Sequence, residues 1–119
     1  MKPQLLAIVL LLLITSVGVG PAFAMRLPHS QSSAAKTKEA RKLFKQKCAK
    51  CHGSDGAGNT TYGQIVGATD LTDPEWQKRV ADERILNSIT HGRGQMPAFD
   101  KKLTSEQLML LSVYVRSFK

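Results

Sequence analysis

Apolar residues recur at helical spacing in three parts of the chain, and polar residues fill the positions between them. Residues three and four apart lie on one face of a helix, so this pattern predicts amphipathic helices that each bury one stripe. The first is predicted to begin near Thr37 and to run into Cys48, the second to be capped by Asp82 and ended by Gly92, and the last to follow Thr104. Their apolar stripes are Ala40, Leu43, Phe44 and Cys48; Ile85, Leu86 and Ile89; and Leu108, Leu111, Val115 and Phe118.

Capping patterns support the last helix and predict a further short one. Thr104 is followed three residues later by Gln107, which is a capping box. Asp73 followed by Pro74 is typical of a helix cap with proline at the first helical position. The short helix that begins there would carry Trp76, the single tryptophan of the chain, either in the core or within reach of a bound group through its indole N–H.

The first 24 residues have the composition of an export signal. Lys2 supplies a positive start, residues 5–14 form an apolar run, and Ala22-Phe23-Ala24 is a small-x-small cleavage site. An uncleaved membrane anchor is the alternative, because no charged residue lies between Pro3 and Met25. We expect cleavage after Ala24 and a periplasmic protein.

The remainder of the chain is short enough for one domain. Residues 25–36 contain serines, a proline and little that could be buried, so they are predicted to form a flexible arm. The folded domain is predicted to span residues 37–119.

The positive charge is concentrated near the start of that domain. The whole chain has 17 basic and 9 acidic residues, a net charge of +8. Residues 25–50 contain 8 basic residues and 1 acidic residue, whereas the 8 basic and 8 acidic residues from position 51 onward cancel. Such a helix face either keeps the protein soluble or attracts acidic redox partners. Nucleic acid is a poor candidate partner for an exported chain.

The most informative motif is the pair Cys48 and Cys51 followed directly by His52. Two cysteines three apart lie on one face of a helical turn, and C-x-x-C-H is the attachment signature of c-type haem. The glycine-rich residues 53–60 that follow are predicted to be a loop whose backbone can pass close to such a ring. One such motif predicts one covalently attached haem c.

The cysteine pair has three other interpretations. A thioredoxin-like dithiol would need a βαβ setting, which the flanking residues do not predict. A closed zinc site needs four ligands, and His29 and His91 lack ligand spacing. A disulfide between Cys48 and Cys51 is compatible with an oxidising compartment but gives His52 no function.

A second motif surrounds Met96. Glycine and polar residues precede this methionine and Pro97 follows it, so it lies in a predicted loop rather than on an apolar helical stripe. Proline restricts the residue before it to an extended conformation, which would aim the thioether. Most methionines pack in cores. Here the loop favours Met96 as a sixth iron ligand, while Met109 lies in a regular helix and is expected to pack there.

Taken together, these motifs resemble small class I cytochromes c. The resemblance covers nearly all of residues 25–119, including the segments D-L-T-D-P-E-W at 70–76 and G-x-G-x-M-P-A-F at 92–99. It implies an all-α cytochrome c fold of three to five helices around one covalently attached haem. It further implies thioether bonds at Cys48 and Cys51, with His52 as proximal and Met96 as distal iron ligand.

The same resemblance implies that the first and last helices cross. The residues at that crossing would be Ala40, where relatives carry glycine, with Phe44 and Tyr114. Thr69 stands about where relatives carry a proline beside the carbonyl that orients the proximal histidine, so the partner of His52 is left open.

An iron with both axial positions filled binds no substrate, so the expected function is one-electron transfer without catalysis. We expect a monomeric carrier between respiratory redox proteins, which would contact a membrane only if the N-terminal segment is uncleaved. Two alternatives stay open: a haem subunit or membrane-tethered module of a larger oxidoreductase complex, and a haem sensor or peroxidase-like protein.

Overall fold

The computed structural model describes residues 29–118 of the chain and contains six helical segments there. The predicted signal peptide, residues 25–28 of the predicted arm and Lys119 lie outside the described residues. Within residues 29–118 there is no β-strand, which confirms the all-α class. The helices are α1 His29–Lys47, α2 Ala49–His52, α3 Thr61–Val66, α4 Pro74–Arg79, α5 Asp82–His91 and α6 Ser105–Arg116.

The first helix begins at His29 rather than near Thr37, so that boundary was wrong. Residues 29–36, which were predicted to belong to a flexible arm, are helical. The stretch from 29 to 47 contains neither glycine nor proline and includes alanines and lysines, which favour helix. The Thr37 hydroxyl donates to the Ser33 carbonyl at 3.0 Å, one turn earlier in the same helix, and so does not cap it.

Helices α1 and α6 pack against each other through an aromatic cluster. Ala40 and Phe44 of α1 are 3% and 1% exposed. The Phe44 ring centroid lies 5.4 Å from that of Tyr114 and 5.0 Å from that of Phe118, and the latter two are 5.2 Å apart. The predicted crossing is therefore present, and the Ala40 methyl is accommodated in it.

The predicted helix caps are present, with one exception. Thr104 and Gln107 form the capping box, with N–H to side-chain oxygen distances of 3.1 and 3.2 Å. The Asp73 side chain accepts from the Glu75 N–H at 2.8 Å. Asp82, however, is the first residue of α5 and not its cap, because its carboxylate contacts the Arg116 guanidinium at 2.5 Å instead.

Arg116 joins the last helix to α4 and to the residue that follows it. Its guanidinium donates to the Gln77 carbonyl at 2.5 Å, to the Gln77 side-chain oxygen at 3.0 Å and to the Val80 carbonyl. The Gln77 amide in turn donates to the carbonyls of Leu71 and Val115 at 2.7 and 2.9 Å. These bonds hold the backbone at Val80 and Leu71 in place.

Helix α3 was not predicted. Its six residues include glycine and the β-branched Ile65 and Val66, so local propensity for helix is low. The helix depends instead on contact with α2. A Cβ on Gly63 would overlap the Cys51 carbonyl oxygen and lie 2.7 Å from that of Gly58, so only glycine permits this approach.

Candidate haem site

All four residues predicted to hold a haem line one cavity of about 970 Å³. This volume is at the upper end of the ~300–1,000 Å³ usual for cofactor sites. Cys48, Cys51 and His52 reach the cavity from the α1–α2 region, and Met96 reaches it from the loop after α5. The apolar part of the wall consists of Phe44, Val66, Leu71, Val80, Ile85, Phe99 and Val115, with Trp76 beside them.

Cys48 lies at the turn between α1 and α2. Cys51 and His52 follow one helical turn later, in α2. The N–H groups of Cys51 and His52 donate to the Cys48 carbonyl at 3.1 and 3.0 Å. The cysteines are half-buried free thiols. Burial raises the pKa of the Cys48 thiol to about 12, with a smaller contribution from Cys51. Redox-active dithiols have a lowered pKa, so this environment does not favour the dithiol interpretation.

The His52 ring is oriented by the Thr69 backbone. Its Nδ1 lies 3.0 Å from the Thr69 carbonyl oxygen. A carbonyl only accepts, so Nδ1 is the donor, and in the neutral imidazole this leaves the Nε2 lone pair for a ligand bond. The partner that the sequence left open is therefore the Thr69 carbonyl.

The segment that contains Thr69 is itself held by a turn. The Asp70 carboxylate accepts from the Thr72 N–H at 2.8 Å and from the Thr72 hydroxyl at 2.6 Å. The side-chain and backbone bonds from Thr72 hold the pKa of Asp70 below its usual range. The following Leu71 is buried, and its N–H donates to the Gly56 carbonyl at 2.8 Å. The Thr69 carbonyl is thus presented by an anchored segment.

Thr60 is a positioning residue that the sequence analysis missed. Its hydroxyl donates towards the carbonyls of Lys50 at 2.8 Å and Cys51 at 3.0 Å. The same oxygen accepts from the Gly63 N–H at 2.8 Å and so caps α3. One hydroxyl thereby ties the C-x-x-C-H turn to the next helix. In the sequence, the position of Thr60 directly before a T-x-G segment is the one feature that could have indicated this role.

We expect Thr60→Val to destabilise the protein by about 1–3 kcal/mol, because the shape is kept while partly buried polar groups lose their partner. Thermal unfolding measured by circular dichroism checks this loss. Thr61→Val is the matched control, since Thr61 is exposed and makes no side-chain hydrogen bond in the described structure. Equal melting temperatures for the two variants would contradict the role given to Thr60.

The Met96 loop is short and closely tied to α5. Arg93 and Met96 exchange two backbone hydrogen bonds of 3.0 Å each. Gly92 ends α5 with a φ of 75°, and a Cβ there would lie 2.7 Å from the Met96 carbonyl oxygen. Phe99 is 5% exposed, and its N–H donates to the Ile89 carbonyl at 3.1 Å. Met96 is half-buried against the core, as a directed ligand requires.

Residues 35–115 match the family model described as cytochrome c oxidase, cbb3-type, subunit III, and the chain belongs to this family. It is 29% identical over 102 residues to the cbb3-type cytochrome c oxidase subunit CcoP of Azospirillum brasilense, covering 85% of this chain and 35% of that protein. It is 37% identical over 76 residues to cytochrome c6 of Leptolyngbya boryana, covering 62% of this chain and 82% of that protein.

The solved structure of the KustC0563 c-type cytochrome matches with a TM-score of 0.64 and 42% identity, over 67% of this chain and 96% of that one. The protein is therefore a class I c-type cytochrome with the cytochrome c fold, and such proteins carry covalently bound haem c. The chain spans only 25–35% of the length of the matched oxidase subunits.

The chemistry of the cavity fits this cofactor. It combines apolar walls for a flat ring, two thiols at the attachment spacing, an imidazole with its Nδ1 already engaged, and a soft thioether. Among the described residues no group of three or more His, Cys, Asp or Glu side chains could hold a bare metal ion, which leaves the zinc interpretation without a ligand set there.

Proposed function

We propose that this c-type cytochrome is a periplasmic one-electron carrier with a single haem. In this proposal Cys48 and Cys51 form the thioether bonds, His52 is the proximal iron ligand and Met96 the distal one. The supporting observation is that these four side chains, from two distant parts of the chain, line one largely apolar cavity in which the Thr69 carbonyl already orients His52.

The bound haem supplies reversible one-electron exchange at its iron. The protein's residues determine how that exchange proceeds. The hydrogen bond from Nδ1 to the Thr69 carbonyl fixes the orientation of the His52 ring and makes the imidazole a stronger electron donor to the iron. The Met96 thioether donates weakly, which favours the lower iron charge and raises the reduction potential. The apolar walls around Leu71, Ile85 and Phe99 exclude water, and this limits reorganisation when the charge changes.

The experiment that tests this proposal is a pyridine haemochrome spectrum combined with the mass of the mature protein from periplasmic extract. We expect one haem c per chain and an N-terminus at Met25. Carbon monoxide should not bind the untreated reduced protein, because Met96 fills the sixth position. A haem-free protein or ready carbon monoxide binding would contradict the proposal, and the second result would favour a sensor or peroxidase-like function.

A second candidate function is a haem subunit or tethered module of an oxidase complex. It is favoured by the relatives, which are named as subunits CcoP and FixP of cbb3-type cytochrome c oxidases. None of the helices in residues 29–118 has the length and apolar character needed to cross a bilayer. Retention of the protein on membranes after a high-salt wash would favour the subunit, and release into the periplasmic fraction the free carrier.

The basic face of α1 supports acidic redox partners. Lys38, Arg41, Lys42 and Lys45 are exposed and form no ion pair in the described structure, and Lys47 also lines the cavity. In the proposed carrier this face would lead an acidic surface towards the haem. The protein is proposed to act as a monomer in such encounters.

We expect Lys42→Gln/Lys45→Gln to slow oxidation by ferricyanide on the order of tenfold at low salt, because an anion is no longer steered to this face. Stopped-flow traces at about 10 mM and about 500 mM salt measure the effect, because salt screens the charges weakly at the first concentration and strongly at the second. Lys101→Gln/Lys102→Gln removes the same charge elsewhere and is the control. Equal slowing by both variants would show that the basic face of α1 does not steer the anion.

A further inference from the structure

Gly58 lies between the two parts of the chain that meet at the His52 ring. Its N–H donates to the His52 carbonyl at 2.8 Å. A Cβ at Gly58 would lie 2.9 Å from the Ala68 carbonyl oxygen and 3.4 Å from the Thr69 carbonyl oxygen. The Thr69 oxygen is the one that accepts the hydrogen bond from the His52 Nδ1. Gly58 is therefore a backbone spacer between the residue that carries the ring and the carbonyl that orients it.

This close approach leaves no space for a side chain at position 58. Gly58 is buried, and its φ of 73° is a conformation that favours glycine. A contact under 3.0 Å is one that Cβ atoms essentially never make, so a Cβ here would displace the Ala68 oxygen. That atom belongs to the backbone and cannot rotate away as the end of a side chain would. Any other residue at this position would therefore move the chain at residues 68–69.

A shift of Gly58 itself is opposed by helix α3. A Cβ on Gly63 would lie 2.7 Å from the Gly58 carbonyl oxygen, so the two backbones are already at their closest approach. The Ala68 N–H donates to the Gly63 carbonyl at 2.8 Å, which ties the next segment to the same helix. The displacement would therefore extend to the Thr69 carbonyl, whose contact with the position of this Cβ is also tight.

We propose that Gly58 is a positioning residue that sets the strength of the hydrogen bond from the His52 Nδ1 to the Thr69 carbonyl, and through it the reduction potential. This inference rests on the proposed function, since it requires that His52 binds the haem iron. A ligand imidazole whose Nδ1–H is engaged by a carbonyl is a more basic donor. A stronger donor stabilises ferric iron, so a close Thr69 carbonyl lowers the potential, opposite to the effect of the Met96 thioether.

The sign of the expected change follows from this geometry. A Cβ at position 58 pushes the Thr69 carbonyl away from the His52 ring and weakens their hydrogen bond. The imidazole then becomes a weaker donor, and the potential rises. A glycine with only a structural role would change the stability of the loop and leave both the Nδ1–H and the potential as they are.

The test uses the full haem-loaded protein and the variants Gly58→Ala and Gly58→Asn. Both place a Cβ against residues 68–69, and asparagine tolerates a positive φ better than alanine, so its variant separates displacement from backbone strain. Proton NMR of the reduced protein follows the His52 Nδ1–H and its exchange with solvent, and a redox titration gives the midpoint potential. We expect about tenfold faster exchange of this proton in both variants, the factor that corresponds to one hydrogen bond, and a higher potential.

Gly53→Ala is the matched control. Gly53 lies in the same loop, is buried and has a φ of 75°, so alanine is strained there as well. The nearest atom to its Cβ would be an Asp55 side-chain oxygen at 2.5 Å, and this exposed side chain can rotate away. We expect this variant to lose stability but to keep the wild-type potential and the wild-type exchange of the His52 Nδ1–H.

If exchange and potential in both Gly58 variants match those of Gly53→Ala, Gly58 is only structural and the proposal is overturned. A lower potential in the Gly58 variants would overturn it as well. A His52 Nδ1–H that already exchanges freely in the wild-type protein overturns it however well the variants fold, because there would be no bond to set. A wild-type protein without haem, or with an iron that His52 does not bind, would instead overturn the proposed function.

Discussion

Replacing Met96 with alanine is expected to remove the iron-to-thioether absorption band and to lower the midpoint potential. The potential should fall by a substantial part of the ~0.8 V that axial ligands span, because water or another harder ligand would replace the thioether. The reduced variant should also bind carbon monoxide at the vacated position. Absorption spectra in both oxidation states and a redox titration measure these changes.

Met109→Ala is the matched control for this experiment. Met109 lies on α6 with 59% of its surface exposed and does not line the cavity. Its replacement should leave the absorption band and the potential unchanged. An unaltered spectrum in the Met96 variant, or loss of the band in the Met109 variant, would show that Met96 is not the sixth ligand.

The largest stability effect is expected from Phe44→Ala, at about 3–5 kcal/mol of unfolding free energy. Phe44 is 1% exposed, contacts two aromatic rings of the C-terminal region and also lines the cavity. Its removal would leave a void where α1 crosses α6 and would loosen the wall beside Cys48. Denaturant unfolding of the haem-loaded protein, followed by circular dichroism, measures the loss.

Val113→Ala provides the comparison for that loss. Val113 lies on α6 but is 70% exposed, so its truncation should change stability by at most about 0.5 kcal/mol. Phe44→Leu should fall between the two variants, since it keeps apolar volume but loses both ring contacts. A Phe44→Ala protein as stable as Val113→Ala would mean that the crossing of α1 and α6 does not hold the fold together.

The parts of this fold that are encoded locally could be predicted from the sequence. The Thr104–Gln107 box and the Asp73-Pro74 cap involve residues at most three apart, and both are present. The start of α1 was wrong because serines suggested irregular structure, whereas an uninterrupted helix without glycine or proline continues back to His29. The cap assigned to Asp82 failed because Arg116, 34 residues away, binds that carboxylate.

The candidate site shows the same division. The positions of the four proposed haem-binding residues follow from two short motifs, and the structure brings them to one cavity. The Thr69 carbonyl carries no side-chain signal, since any residue would offer the same group. The bonds of Thr60 depend on how the loop after α2 folds back onto α2. Such long-range contacts have no local pattern from which they could be predicted.

The spacing of His52 and Met96 along the chain has a mechanical consequence. The residues between them include α3, α4 and α5, so a group bonded to both ends would close these helices into a ring. Loop closure reduces the freedom of the unfolded chain more than that of the folded one, as a disulfide does. In the proposed carrier the iron would thus serve as a cross-link whose strength changes with its oxidation state, and resistance to denaturant should differ between the two states.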